Sequence, residues 1–155
     1  YGIEWTNFYN VNDWLTLDLD LAASEARFTD AGDDDFVPGA IDEVAAMGAT
    51  VRHPDGHYFA IRGRYFGPRK LIEDGSAESS SSFLVNAHTG WRFSKDWQLR
   101  LSVFNLFDRD VNDIEYFYPS LLPGEPPGPD DGGYNDIHFH PSEPFSLRIG
   151  LFASF

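Results

Sequence analysis

Cysteine is absent from all 155 residues, which removes disulfides, thiolate metal ligands and a cysteine nucleophile together. No run of about 18 consecutive apolar residues occurs, so no helix built from this sequence crosses a bilayer. Basic residues are scarce: 11 Lys and Arg stand against 25 Asp and Glu, for a net charge of −14. A phosphate-binding face needs a basic stripe, so nucleic acid is excluded as a partner. The sequence opens strand-like at Tyr1, without a Met or a basic stretch, and the chain is expected to be a segment of something longer or a processed product.

Catalytic signatures are also missing. The serine run at residues 79–82 is a low-complexity loop without a G-x-S-x-G elbow. No glycine motif that would cradle a phosphate is present. Asp18 and Asp20 imitate a glycosidase pair, but carboxylates two residues apart on a strand are an ordinary wall pattern. Neither an enzymatic activity nor a cofactor is expected.

What the sequence has in abundance is alternation. In residues 145–155, Phe145, Leu147, Ile149, Leu151, Ala153 and Phe155 fall on one strand face and Ser146, Arg148, Gly150 and Ser154 on the other, with Phe152 as the breach. That is about the length a tilted strand needs to cross a membrane. Six further segments behave similarly. Ile3, Trp5, Tyr9 and Val11 share a face, and Leu15 to Ala23 alternate with Thr16, Asp18, Asp20 and Ser24. Ala45 to Val51, Phe59 to Tyr65, Phe83 to Phe93 and Trp97 to Phe107 complete a count of seven strands. No helical period is convincing, although residues 38–47 leave room for a short helical turn.

The connections are sorted by length. Asn12-Asp13, His53-Pro54-Asp55-Gly56 and Ser94-Lys95-Asp96 are tight turns recurring about every 42 residues. Between them lie acidic connections of roughly 15 to 35 residues, rich in Gly, Pro and Ser. Residues 29–43, 67–82 and 108–143 hold 18 of the 25 acidic residues with only Arg69, Lys70 and Arg109 to offset them, so these segments carry −15 and the rest +1. Short turns at one end and long loops at the other are the asymmetry of outer-membrane barrels. The charges at Asp18, Asp20, Arg62, Arg64, Arg92, Arg100 and Arg148 all lie opposite the apolar face. A lipid-facing charge costs roughly 2–4 kcal/mol at the midplane, whereas a wet lumen tolerates it. Trp5, Tyr9, Trp14, Trp91, Phe93, Trp97 and Phe155 are expected in an aromatic girdle near the short turns, and Tyr65, Phe83 and Phe107 in one near the long loops. Two other readings remain open: a soluble, lectin-like β-sandwich with the aromatics in its core, and a small eight-stranded barrel missing one strand.

Particular residues carry a family resemblance. Val103-Phe104-Asn105-Leu106-Phe107-Asp108-Arg109 resembles the V-x-N-L-F-D-[RK] motif near the end of TonB-dependent outer-membrane receptors. Arg148, Gly150, Ala153 and Phe155 resemble the carboxy-terminal barrel-assembly signal, polar-x-Gly-x-x-apolar-x-aromatic. Gly2-Ile3-Glu4, residues 13–18, Ala26-Arg27-Phe28 and Ile41 after Pro38-Gly39 resemble further parts of that barrel, so the likeness extends over essentially the whole chain.

The resemblance implies an all-β, antiparallel, up-and-down transmembrane fold: about seven carboxy-terminal strands of a plugged barrel of about 22 strands. The plug and the earlier strands are expected to lie outside residues 1–155. It also implies a place in the Gram-negative outer membrane, with long loops extracellular and the carboxy terminus periplasmic. The implied partners are outer-membrane lipid, the TonB energy-transducing complex acting through the plug, the barrel-assembly machinery and a small-molecule cargo. That cargo would be a scarce nutrient such as a ferric siderophore.

Candidate contact residues follow from the loops and the polar face. Tyr116, Tyr118 and Tyr134, with Phe117 and Phe139, give the last loop aromatic faces for a flat chelate, or else bury one another. His138 and His140 project to one side of an extended segment and could form half a metal site, with Asp136 and Glu143 nearby. Asp33, Asp34 and Asp35 offer oxygen ligands to calcium, although adjacent carboxylates are more often a solvated cluster. Arg62 and Arg64 either draw an anionic cargo or neutralise Asp18, Asp20 and plug acids; buried wall charges need partners, which favours the second.

Overall fold

A computed structural model describes residues 1–155 apart from Ala31, Asp33, Asp131 and Phe155. Asp33 of the carboxylate run and Phe155 of the terminal signal therefore lie outside the described residues. The rest forms nine strands: β1 (Gly2–Asn10), β2 (Leu15–Ser24), β3 (Glu43–Arg52), β4 (Tyr58–Phe66), β5 (Ser82–Arg92), β6 (Trp97–Phe104), β7 (Asn112–Ser120), β8 (Tyr134–Pro141) and β9 (Ser146–Ala153). Seven pair antiparallel in the order β1-β2-β3-β4-β5-β6-β9, while β7 and β8 form a separate hairpin. The expected strands are all present. The hairpin is an addition, since residues 108–143 read as a loop. Residues 38–47 hold no helical turn; Pro38 and Gly39 make a bend, and β3 starts at Glu43.

Each tight turn is closed by its own side chain or glycine. Asn12 Oδ1 accepts from the backbone N–H of Trp14 and Leu15 at 3.0 and 2.9 Å. Gly56 sits at φ +87° and donates to the His53 carbonyl at 2.9 Å. Ser94 Oγ accepts from Asp96 and Trp97 N–H, both at 3.2 Å.

Register carries one face across the whole sheet. Trp5, Leu21, Ala45, Tyr65 and Phe83 form one rung, and Val103 lies opposite Leu147, Leu101 opposite Ile149 and Leu99 opposite Leu151. Among strand residues of the seven-stranded sheet, Glu43 is the only charge on this face. The row is uncovered: Ile149 is 68 % exposed, Trp91 65 % and Met47 59 %. A β-sandwich would bury these side chains under a second sheet. The only other sheet among the described residues is the β7–β8 hairpin, attached at the long-loop end. The described residues therefore do not form a sandwich by themselves. Trp5 also moves: its rung contains Tyr65 and Phe83, so it belongs at the long-loop end, while Tyr9, Trp14, Phe59 and Trp91 ring the turn end.

The opposite face holds the charges, and its central contact spans three strands. Asp18, Gly48 and Arg62 form one rung and Asp20, Ala46 and Arg64 the next. Arg62 reaches across β3 to both Asp18 and Asp20. It can do so because β3 offers almost no side chain there: a Cβ on Gly48 would stand 2.5 Å from Asp18 Oδ1. Phe152, the breach in the terminal alternation, lies on this face beneath the Arg100 guanidinium at 4.1 Å, in the space that Gly150 leaves open.

Asn105 ends β6. It is 3 % exposed and adopts φ +48°, a left-handed conformation that Asn tolerates better than most residues. Its N–H donates to Asn86 Oδ1 at 3.0 Å, its Nδ2 to the carbonyls of Arg109 at 2.9 Å and Glu143 at 3.2 Å, and its Oδ1 accepts from Arg109 N–H at 2.9 Å. Asp108, also at φ +48°, accepts from Phe145 N–H at 2.9 Å, directly before β9. The asparagine and aspartate of the motif thus fasten both feet of the longest connection.

Gly48→Val should separate Asp18 from Arg62 and lower stability by about 1–3 kcal/mol, read as a fall in the denaturation midpoint, with Gly48→Ala less severe. Asn105→Ala should cost about 1–3 kcal/mol by removing the three hydrogen bonds its side chain makes to Arg109 and Glu143. Hydrogen exchange at Arg109 and Phe145 should accelerate in the same variant; unchanged exchange would show that other contacts hold the loop.

Candidate functional site

The three long connections meet at one end of the sheet. In the first, Arg27 donates to Asp35 at 2.6 Å and Glu25 at 2.9 Å and lies 3.9 Å above the Phe36 ring. Hydrogen bonds from the Tyr1 hydroxyl, then from Arg27, hold the Glu25 carboxyl below its usual range. Phe36 N–H donates to the Glu73 carbonyl at 3.1 Å and Gly39 N–H to the Lys70 carbonyl at 2.8 Å, joining the first loop to the second. Leu71 and Ala77 are buried beneath this junction.

The third connection docks through Glu115. This carboxylate is 5 % exposed and accepts from Ser80 N–H at 2.6 Å and from the Asn112 side-chain amide. Charge-assisted bonds of this kind offset part of the cost of burying an unneutralised acid. A recess of about 190 Å³ remains where the loops converge, lined by Pro38, Gly39, Arg69, Leu71 and residues 114–118 of β7. Sequence reasoning missed Glu115; a lone acid inside the apolar stretch Ile114 to Tyr118 was the available signal.

The hairpin sorts its side chains as any strand pair does. Tyr116 lies opposite His138, Tyr118 opposite Asp136, Ile114 opposite His140 and Ser120 opposite Tyr134, all on one face. Phe117 and Glu115 pair with Ile137 and Phe139 on the other. Tyr118 and His138 stack with ring centroids 3.9 Å apart and planes inclined by 13°. Tyr116, Tyr118, His138, Phe139 and His140 line an open groove of about 440 Å³. The five sequence candidates of the last loop are thus gathered on one face, four of them lining the groove and Tyr134 at the end of the ladder.

The remaining candidates lie elsewhere. Arg62 and Arg64 are on the polar face of the large sheet, Arg62 held by Asp18 and Asp20 and Arg64 over the Phe66 ring at 4.8 Å. Asp35 is engaged by Arg27, and Asp34 is exposed. Among the described residues no group of three or more His, Cys, Asp or Glu converges into a metal site. Arg148, Gly150 and Ala153 lie on β9, opposite Ser102, Arg100 and Trp97.

No protein-family model matches the sequence, and no curated protein matches it significantly. Two solved structures share the architecture. The ferric yersiniabactin uptake receptor FyuA from Yersinia pestis aligns over 99 % of this chain with a TM-score of 0.76 at 15 % identity. The ferric-catecholate import receptor Fiu from E. coli K12 aligns over 97 % with a TM-score of 0.68 at 19 % identity. The chain spans 23 % and 20 % of their respective lengths. At these identities the likeness is one of fold. The antiparallel, all-β barrel arc expected from the sequence is the fold this chain has, and these two receptors share it.

Glu115→Ala should release the hairpin from the second loop. The expected sign is faster amide exchange at Ser80 and faster proteolysis within residues 112–141, with the seven-stranded sheet unaffected; unaltered exchange would remove Glu115 as the tether.

Proposed function

We propose that the chain is the carboxy-terminal portion of the barrel of an outer-membrane receptor that binds and imports a scarce chelated nutrient. The observation carrying this reading is the largely apolar face across seven strands, exposed to its surroundings and backed by a face that holds the paired charges. In hydrocarbon every backbone polar group must find a partner, and a continuous antiparallel ladder supplies them. The uptake and import receptors that share the fold support a ferric siderophore or similar chelate as cargo.

In this reading the acidic loops face outward and the tight turns and the end of β9 face the periplasm. Tyr116, Tyr118, Tyr134, His138 and His140 touch cargo, while Arg62 and Arg64 serve the wall. Energy arrives from TonB through a plug that fills the barrel beside the charged face. Arg148, Gly150, Ala153 and Phe155 are read by the assembly machinery.

Spin labels test the assignment directly. In the full-length protein, labels at Leu19 and Leu101 should be relaxed by lipid-soluble oxygen, and a label at Ser102 by a water-soluble reagent. Water exposure at Leu19 and Leu101 would refute the receptor reading.

A further inference from the structure

The hairpin groove allows the cargo to be described more closely, on the basis of the receptor reading above. Its floor is a stacked aromatic pair: Tyr118 and His138 lie parallel with centroids 3.9 Å apart, each covering one face of the other and leaving an outer ring face free, with Tyr116 and His140 beside them. Tyr116 and Tyr118 are each about half exposed, so this surface is open to a ligand. A volume of about 440 Å³ falls within the range of small-molecule sites.

The charge around the stack is one-sided. From Asn112 to Pro141 the sequence contains six carboxylates (Asp113, Glu115, Glu125, Asp130, Asp131 and Asp136) and no Lys or Arg. Asp136 is the cross-strand partner of Tyr118 itself. Of the six, Glu115 is turned into the loop junction; the others have no basic neighbour on the hairpin. Arg69 of the second connection lines the recess beside residues 114–118, but the hairpin itself offers a flat anion only like charge, whereas a flat cation gains both a ring face and the surrounding field. His138 Nε2 has no hydrogen-bond partner, which leaves a polar atom of the stack unsatisfied.

We infer that this groove binds a metal chelate that presents flat aromatic rings and carries no net negative charge, one ring seated on the outer face of the Tyr118–His138 stack, and that it disfavours polyanionic complexes such as ferric tris-catecholates. Nitrogen-donor heteroaromatic metal chelates are the class that satisfies both conditions.

The test uses the full-length receptor in detergent and two iron(II) probes with similar ring systems: the tris(phenanthroline) dication and its sulfonated bathophenanthroline counterpart, a polyanion. The dication should bind at least about tenfold more tightly at low salt, and the ratio should shrink as salt screens the loops. Tyr118→Ala should weaken the dication roughly five- to tenfold, and Tyr118→Phe should keep the binding because the ring remains. Equal binding of both probes overturns the inference, and so does a preference that survives Tyr118→Ala, since that places the dication elsewhere on the acidic loops. The Leu101 label is read on the same preparation. Lipid exposure there with no probe preference sinks the cargo class alone, whereas water exposure sinks the receptor reading beneath it.

Discussion

In the receptor reading, each strand of the sheet must satisfy two demands together: its backbone groups need neighbours on both sides, and its side chains must be sorted with a period of two. The rest of this molecule follows from that pairing. Register aligns the odd-numbered residues of seven strands into one apolar surface, and a slip of a single residue would turn every charge outward. The ion pair from Arg62 to Asp18 and Asp20 is a second consequence. Once charges are confined to one face, they meet across strands, and the strand between them has to be nearly bare.

The seven-stranded sheet was legible in the sequence because one face is apolar and the other is not. Leu15 to Ala23 alternates cleanly, and β2 occupies that stretch. The β7–β8 hairpin was not legible for the opposite reason. Both of its faces are aromatic, with Tyr116 and Tyr118 on one and Phe117 and Phe139 on the other, so polarity gives no period of two. Its proline- and glycine-rich connection also resembles disorder more than a turn. Trp5 was misplaced because distance along the chain stood in for height in the sheet, and only the rung with Tyr65 and Phe83 sets that height.

The site was partly legible. Residue type singled out Tyr116, Tyr118, His138 and His140, and antiparallel pairing put them on one face. The tether through Glu115 was invisible, because a hydrogen bond to Ser80 depends on two loops 35 residues apart meeting in space. Arg62 shows the reverse case. As a bare residue it suits an anionic ligand; in place it is engaged by two carboxylates, which favours the wall role over the cargo role.

The family motif gains a physical meaning from Asn105. Its amide clamps the carbonyls of Arg109 and Glu143, while Asp108 holds the amide of Phe145. The two feet of the longest connection are therefore bolted together independently of what lies between them. Alignment of β6 with β9 does not rely on the intervening 33 residues from Asp110 to Ser142. Such a base behaves as a socket: the segment it carries is free to diverge, lengthen or be exchanged, and the wall beneath keeps its shape.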